Sequence, residues 1–315
     1  MKAEVWIYIG IILCMRVLQS IFSKRASSSI PENAVGYLKY TAFYQGVAGV
    51  LALMLLLKEC FSGVVFSGEG QTTIYAIISG AALTVCCMCT VYALSRGTMV
   101  LQSLFSTAGL LIPTIVSMLL YEEMLKWYQW LALAVLIFAA WLLIGSSART
   151  YGKFDSKTFL ILILGLVTNG ITMVMQKMFG MNVEGGSVSL FSFISFASGT
   201  LLLVIGLGVL AFVKERTPIS GEDGFTCFPK KGETGKLPKD VYLYGFMLAV
   251  AVFVINQLAT VSTSLISAVL LFAFINGGAT FISAIVGAVM FREKFTIRST
   301  MGLLLGVGSL IMLKL

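Results

Sequence analysis

The chain has 315 residues, of which 58% are hydrophobic and only 11% charged, and its mean hydropathy is +0.96. Soluble domains carry roughly 25% charged residues, so a water-soluble enzyme is excluded; a chain this apolar belongs in lipid, where backbone polar groups must be paired internally. The net charge of +8 lies mostly at predicted helix ends, where Lys and Arg flank membranes, so it points to a lipid bilayer and not to nucleic acid.

A membrane helix needs about 20 apolar residues. Ten such spans are predicted, at about 4–22, 34–57, 71–95, 97–121, 127–145, 157–178, 187–213, 241–261, 264–290 and 296–314. The first lacks a small-residue cleavage site, and its Arg16-Val17-Leu18-Gln19 run is wrong for a signal-peptide core, so it reads as a helix. It carries Arg16, Gln19 and Ser23 on one face, at i, i+3 and i+7. Arg16 lies about 18 Å along the span at 1.5 Å per residue. Arginine stays charged at any ordinary pH, and no acidic residue is predicted at that depth. Two readings stand: Arg16 meets an anionic group such as a substrate carboxylate or phosphate in a wet cavity, or it snorkels to helix-end carbonyls.

The second span presents Tyr37, Tyr40 and Tyr44 on one face, with Phe43 beside them. They suit a planar substrate or a cation cage, and Tyr37 equally suits the interfacial belt. The third holds Cys86, Cys87 and Cys89. Adjacent cysteines point to different faces, which is wrong for converging metal ligands, so these read as small packing residues. The fourth offers Gln102, Ser106 and Gly109 at i, i+4 and i+7, then Pro113 as a candidate kink. Trp127 and Trp130 open the fifth as belt anchors. The sixth carries Asn169, Thr172 and Gln176. A polar, basic loop at about 214–240 reads as a mobile connector. The eighth holds Asn256, Gln257 and Thr260, and the ninth Phe272, Asn276 and Ala279, with Gly277 and Gly278 as packing glycines. Any one of these amides could be interhelical glue, worth roughly 0.6 kcal/mol; the matched stripes favour a shared polar cavity.

The stripes match because the chain repeats. At an offset of 170 residues Tyr121-Glu122-Glu123-Met124-Leu125 falls on Phe291-Arg292-Glu293-Lys294-Phe295, Thr90 on Thr260, Gln102 on Phe272 and Ser106 on Asn276. Nearer the start the offset is 153, placing Arg16 on Asn169, Gln19 on Thr172, Ser23 on Gln176, Lys24 on Lys177 and Gly46 on Gly199. The change of offset marks an insertion in the 214–240 loop. Residues 1–150 thus form a first five-helix repeat and 151–315 a second. Five is odd, so the second copy enters the membrane from the opposite side. Inverted repeats build two access states around one midplane site in many secondary transporters.

The paired ends at 121–125 and 291–295, with the tight links Ser95-Arg96-Gly97 and Ser262-Thr263-Ser264, resemble those of EamA-type ten-helix proteins of the drug/metabolite transporter superfamily. The resemblance covers nearly the whole chain. It implies an all-α membrane protein, ten transmembrane helices in a 5+5 inverted repeat around a central cavity, moving small metabolites or drugs by alternating access. The small four-helix multidrug relatives use a membrane-embedded Glu for proton exchange. All fourteen acidic residues here lie at or near predicted helix ends or in loops, which disfavours proton-coupled export of lipophilic cations.

The expected function is secondary transport of a small organic metabolite, with Arg16, Gln19, Tyr40, Tyr44, Gln102, Ser106, Asn169, Thr172, Gln176, Asn256, Gln257 and Asn276 as candidate substrate-binding residues. Cationic amines or drugs are the alternative cargo, and a lipid-modifying enzyme the remote alternative. No catalytic set, metal or cofactor is expected. The chain has no histidine, the commonest metal ligand and proton shuttle, and no Gly-rich loop before a Lys-Ser/Thr pair for ATP. The partners are the substrate and the bilayer; one chain suffices and the oligomeric state is open. The location is the cell (inner or plasma) membrane, multi-pass.

Charge also sets an orientation. Of the 22 basic residues, Lys2, Lys58, Lys126, Lys177 and Lys314 fall on the side of the termini, and all others except Arg16 on the opposite side. The positive-inside rule puts that opposite side, with the 214–240 loop, in the cytoplasm; ten-helix relatives are usually drawn the other way round. A cysteine introduced in the loop is expected to stay unlabelled by an impermeant reagent in intact cells. Labelling there reverses the orientation.

Overall fold

The computed structural model describes residues 3–31, 33–64, 67–96, 108–122, 125–147, 156–216, 237–290 and 297–314. They are helical, with no strand among them. In chain order the helices are α1 (Ala3–Ser27), α2 (Ala34–Phe61), α3 (Glu69–Arg96), α4 (Leu111–Tyr121), α5 (Trp127–Ser147), α6 (Ser156–Asn182), α7 (Val188–Arg216) and α8 (Lys239–Thr263). Then α9 (Ala268–Phe272) passes through a π-turn, Ala273–Gly277, into α10 (Gly278–Met290), and α11 is Ile297–Lys314. Among the described residues, seven helical stretches are long and apolar enough to cross a membrane: those of α1, α2, α3, α6, α7 and α8, and the composite α9–α10 rod. Three further apolar helical stretches, in α4, α5 and α11, are shorter. The chain is an all-α, multi-pass membrane protein.

Local chemistry explains where these helices stop. α1 has Glu4 in its first turn and Lys24 and Arg25 in its last, matching the helix dipole. Asn33 caps α2: its Oδ1 accepts from Gly36 N–H at 2.7 Å. At the far end the Glu59 carboxylate accepts from Ser187 Oγ (2.7 Å) and Ser189 Oγ (2.5 Å), which places a negative charge at the start of α7. α4 ends on Glu122 in the left-handed region (φ 52°), whose N–H returns to Ser117 O. The interruption expected at Pro113 lies upstream, in a turn at 109–110; Pro113 itself sits in the first turn of α4, where a missing N–H costs nothing.

Packing interleaves the chain's beginning and end. α1 lies against α8 and α3 against α6; α2 runs along α7, and α5 along α11. α3 also meets α7, α2 meets α8, α4 meets α6, and α1 meets the π-turn and α10. One apolar core gathers Val5, Ile9 and Ile12 with Leu133, Ile255, Leu271 and Phe272. A second joins Tyr37, Tyr40 and Tyr44 to Phe196, Leu248 and Val252. Large aliphatic residues face outward, such as Ile74 and Ile77 on α3 and Leu201 and Ile205 on α7. Polar residues, by contrast, are buried: Gln45, Asn169, Thr172, Gln176, Asn256 and Asn276. That distribution suits lipid outside and hydrogen bonds within.

Candidate functional site

A cavity of ≈70 Å³ opens between α1, α2, α3, α6, α8 and the α9–π-turn segment. Arg16, Gln19 and Ser23 reach it from α1, Tyr44 from α2, and Asn169, Thr172 and Gln176 from α6. Asn256 reaches it from α8. Val252, Ile255, Phe272 and Ile275 supply an apolar wall. A second cavity of ≈40 Å³ shares Arg16, Gln19, Ser23 and Thr90 with the first. Its remaining lining is Ser20, Leu94, Asn276, Ala279, Thr280 and Ser283. Arg16 thus borders both chambers.

The helices approach closely enough to build this because of a few glycines. A Cβ on Gly170 would lie 2.8 Å from Ile112 Cβ and 3.0 Å from Gly109 O, so only glycine lets α6 meet the start of α4 beside Asn169. A Cβ on Gly165 would come within 3.1 Å of Cys89 Cβ, at the α3–α6 contact.

The polar groups are tied in two sets. Arg16 Nη1 donates to Gln19 Oε1 at 3.3 Å, one turn on, while Arg16 Nε is buried without a partner. Across the cavity Gln176 Nε2 donates to Asn256 Oδ1 at 2.6 Å, and Asn256 Nδ2 to Ser192 Oγ at 3.4 Å. Thr172 Oγ1 and Thr260 Oγ1 return to their own helices, at Thr168 O and Asn256 O. In the smaller chamber Ser283 Oγ donates to Ser20 Oγ at 3.3 Å. Asn276 sits in the π-turn, a motif that frequently marks functional positions, and donates to Met173 Sδ at 3.5 Å.

Of the candidate residues, Arg16, Gln19, Tyr44, Asn169, Thr172, Gln176 and Asn256 meet in the larger cavity, and Asn276 joins Arg16 and Gln19 in the smaller. Tyr40 does not line either: it is fully buried, with its ring 5.3 Å from that of Tyr44. Gln257 is buried away from both, its Nε2 unpaired. Gln102 and Ser106 lie outside the described residues, as do Gly97, Glu123, Met124, residues 291–295 and most of the 214–240 loop. Sequence reasoning missed Cys86 and Cys87, which line the cavity, and Thr90, which lines both chambers. The spacing of Cys86 and Thr90 at i, i+4 was the available signal. Cys89 does pack, against Gly165.

At either end of this region a lysine closes a helix. Lys24 Nζ donates to Leu94 O at 3.1 Å at the end of α3, and Lys177 Nζ to Thr263 O at 3.2 Å at the end of α8. Gly180 permits the second approach; a Cβ there would sit 2.3 Å from Thr263 Oγ1.

The chain is similar to a solved structure described only as a crystal structure of a protein. The TM-score is 0.67 over 99% of this chain and 96% of that one, at 13% sequence identity. At that identity the likeness is one of fold alone. No protein-family model and no curated protein matches the sequence.

Proposed function

We propose that this protein is a secondary transporter that carries a small organic metabolite across a cell membrane by alternating access. It works as ten membrane-spanning helices in a 5+5 inverted repeat of the EamA type. The observation that carries the reading is the polar cavity walled by apolar helices, with α1 and α6 contributing matched stripes from opposite halves. Arg16 and Asn169 fall on one another in the sequence repeat, as do Gln19 and Thr172, and Ser23 and Gln176; all six residues line the larger cavity.

Packing supports the repeat. With helices numbered within each half, α1–α8 pairs first with third and α3–α6 pairs third with first. α2–α7 pairs second with second, and α5–α11 fifth with fifth. Exchanging the halves leaves the list unchanged, as a pseudo-two-fold axis requires. The lysine ties agree: Lys24 and Lys177 are repeat counterparts, and each closes the third helix of its own half. A site on such an axis is reached from either side by rocking one half against the other.

Purified protein in sealed liposomes should accumulate a labelled metabolite in counterflow, when the same unlabelled compound is preloaded. A chain that binds its ligand yet never speeds its passage over protein-free liposomes is a receptor or scaffold, and the transport reading is then wrong.

A further inference from the structure

We infer that the ligand of this cavity is a small organic monocarboxylate bearing a hydroxyl or amide donor, with its carboxylate held by Arg16. The inference rests on the transport reading for the ligand's fate, and on the cavity itself for its chemistry.

Charge decides the first part. Among the described residues the linings of both chambers hold one basic side chain, Arg16, and no acidic one. The guanidinium remains protonated, so the described lining carries one positive charge and no acidic side chain to meet it. Removing a lone charge from water costs several kcal/mol unless a counter-charge meets it. A monocarboxylate cancels the charge. A phosphate monoester carries roughly −1.5 to −2 at neutral pH and would leave negative charge stranded in the same place. A cation would add to the problem.

Geometry decides the rest. A guanidinium offers five N–H donors in a fixed fork. Gln19 takes one of them and orients the group, while Nε stands buried with none. The unused edge matches a carboxylate bidentately. Beside it the smaller chamber presents the hydroxyl of Ser20, which accepts from Ser283 Oγ and keeps its own O–H to complete one of the carboxylate's lone pairs. The larger chamber takes the body of the ligand. Val252, Ile255 and Phe272 cover carbon there, and Gln176 supplies an acceptor: its Nε2 is committed to Asn256, and its Oε1 has no partner among the described residues. An acceptor at that end selects a ligand O–H or N–H. The chambers' volumes, ≈70 and ≈40 Å³, suit a short molecule.

The test uses the purified full chain, with ligand binding read as a rise in thermal unfolding temperature that grows with concentration. The probes are L-lactate, its neutral isostere lactamide, propionate, glycerol 3-phosphate and choline. Lactate is expected to stabilise the protein; lactamide and choline are expected to do nothing, and propionate to bind several-fold more weakly than lactate. Arg16→Gln should weaken lactate about 10- to 100-fold, and Arg16→Lys should restore part of the loss without the bidentate pair. If Arg16→Gln does not fold, the lactate–lactamide comparison on the native chain still decides. Four results overturn the inference: lactamide or choline binding as well as lactate, glycerol 3-phosphate binding more tightly, unchanged affinity in a folded Arg16→Gln, or no binding across a series of short hydroxy- and amido-carboxylates. Lactate that binds through Arg16 but is not carried in liposomes removes the transport reading alone. Choline carried in place of lactate removes the monocarboxylate alone.

Discussion

Gly80→Ala is expected to be among the most destabilising single-methyl changes in the protein. A Cβ at Gly80 on α3 would stand 2.1 Å from the carbonyl oxygen of Ser195 and 2.3 Å from Ser198 Oγ, both on α7. The first obstacle is backbone, so no side-chain rotation relieves it; the two helices must separate. The seam has no slack elsewhere, because a Cβ on Gly199 would meet Thr84 Oγ1 at 2.3 Å and Gly80 O at 3.1 Å. Ser195 Oγ also ties the helices directly, donating to Ala76 O at 3.0 Å. Small residues in membrane seams exist to allow this approach. Overpacking typically costs about 1–3 kcal/mol, and more where the backbone must shift. Gly208→Ala is the control, since nothing lies within 4 Å of a Cβ there, and it should be neutral or slightly stabilising. Thermal unfolding in detergent compares the two. Equal stability would mean that α3 and α7 are not held as close as described.

The second large effect concerns the lysine ties. On the inverted-repeat reading, Lys24–Leu94 O and Lys177–Thr263 O lie at opposite ends of the cavity. Lys177 is nearly fully buried and its Nζ also lies 5.9 Å from the Tyr121 ring, so losing it removes a contact at the end of α4 as well as the one at the end of α8. A hydrogen bond from a charged donor is worth about 1.5–3 kcal/mol, enough to move a two-state equilibrium tenfold or more. Lys24→Met should therefore bias the cavity toward opening beside the 95–97 link, and Lys177→Met toward opening beside the 262–264 link. Cys86 lines the cavity and reports this as the rate of modification by an impermeant maleimide, with the other cysteines changed to serine. The two variants should speed labelling from opposite faces of a sealed vesicle by about tenfold or more. Acceleration from the same face in both would sink the two-gate arrangement.

How much of this could be read in the sequence depended on the kind of signal. The long spans were legible because about 20 apolar residues have few other uses. Arg16 was legible because one charge in such a run needs a reason. Within a helix, however, the pattern fixes a face only to within a broad arc. Tyr40 and Tyr44 share a stripe, yet Tyr44 reaches the cavity and Tyr40 is sealed in the core. Asn256 and Gln257 are neighbours of similar chemistry; α6 approaches one of them, and nothing local says which. Cys86 and Cys87 were read as packing because a thiol is at home in either setting. The π-turn at Ala273–Gly277 left no mark that composition could show, since its bonding depends on what α1 and α6 press against it.

The interleaving of early and late helices reaches into how the chain is made. Leu133 shares one core with Phe272, and Tyr44 shares another with Phe196 and Val252. Neither half contains a finished interior. During synthesis the N-terminal half must therefore wait in the bilayer, with Arg16, Gln45 and Thr84 facing lipid or one another, until the C-terminal helices arrive. For that interval the growing chain resembles a set of loose hairpins, and its polar side chains are what a membrane protease or chaperone would recognise. Completion of α8 and the α9–α10 rod ends the wait. The last third of the sequence thus decides whether the first third survives, and a truncation after α7, at Arg216, should be cleared from the membrane instead of persisting there.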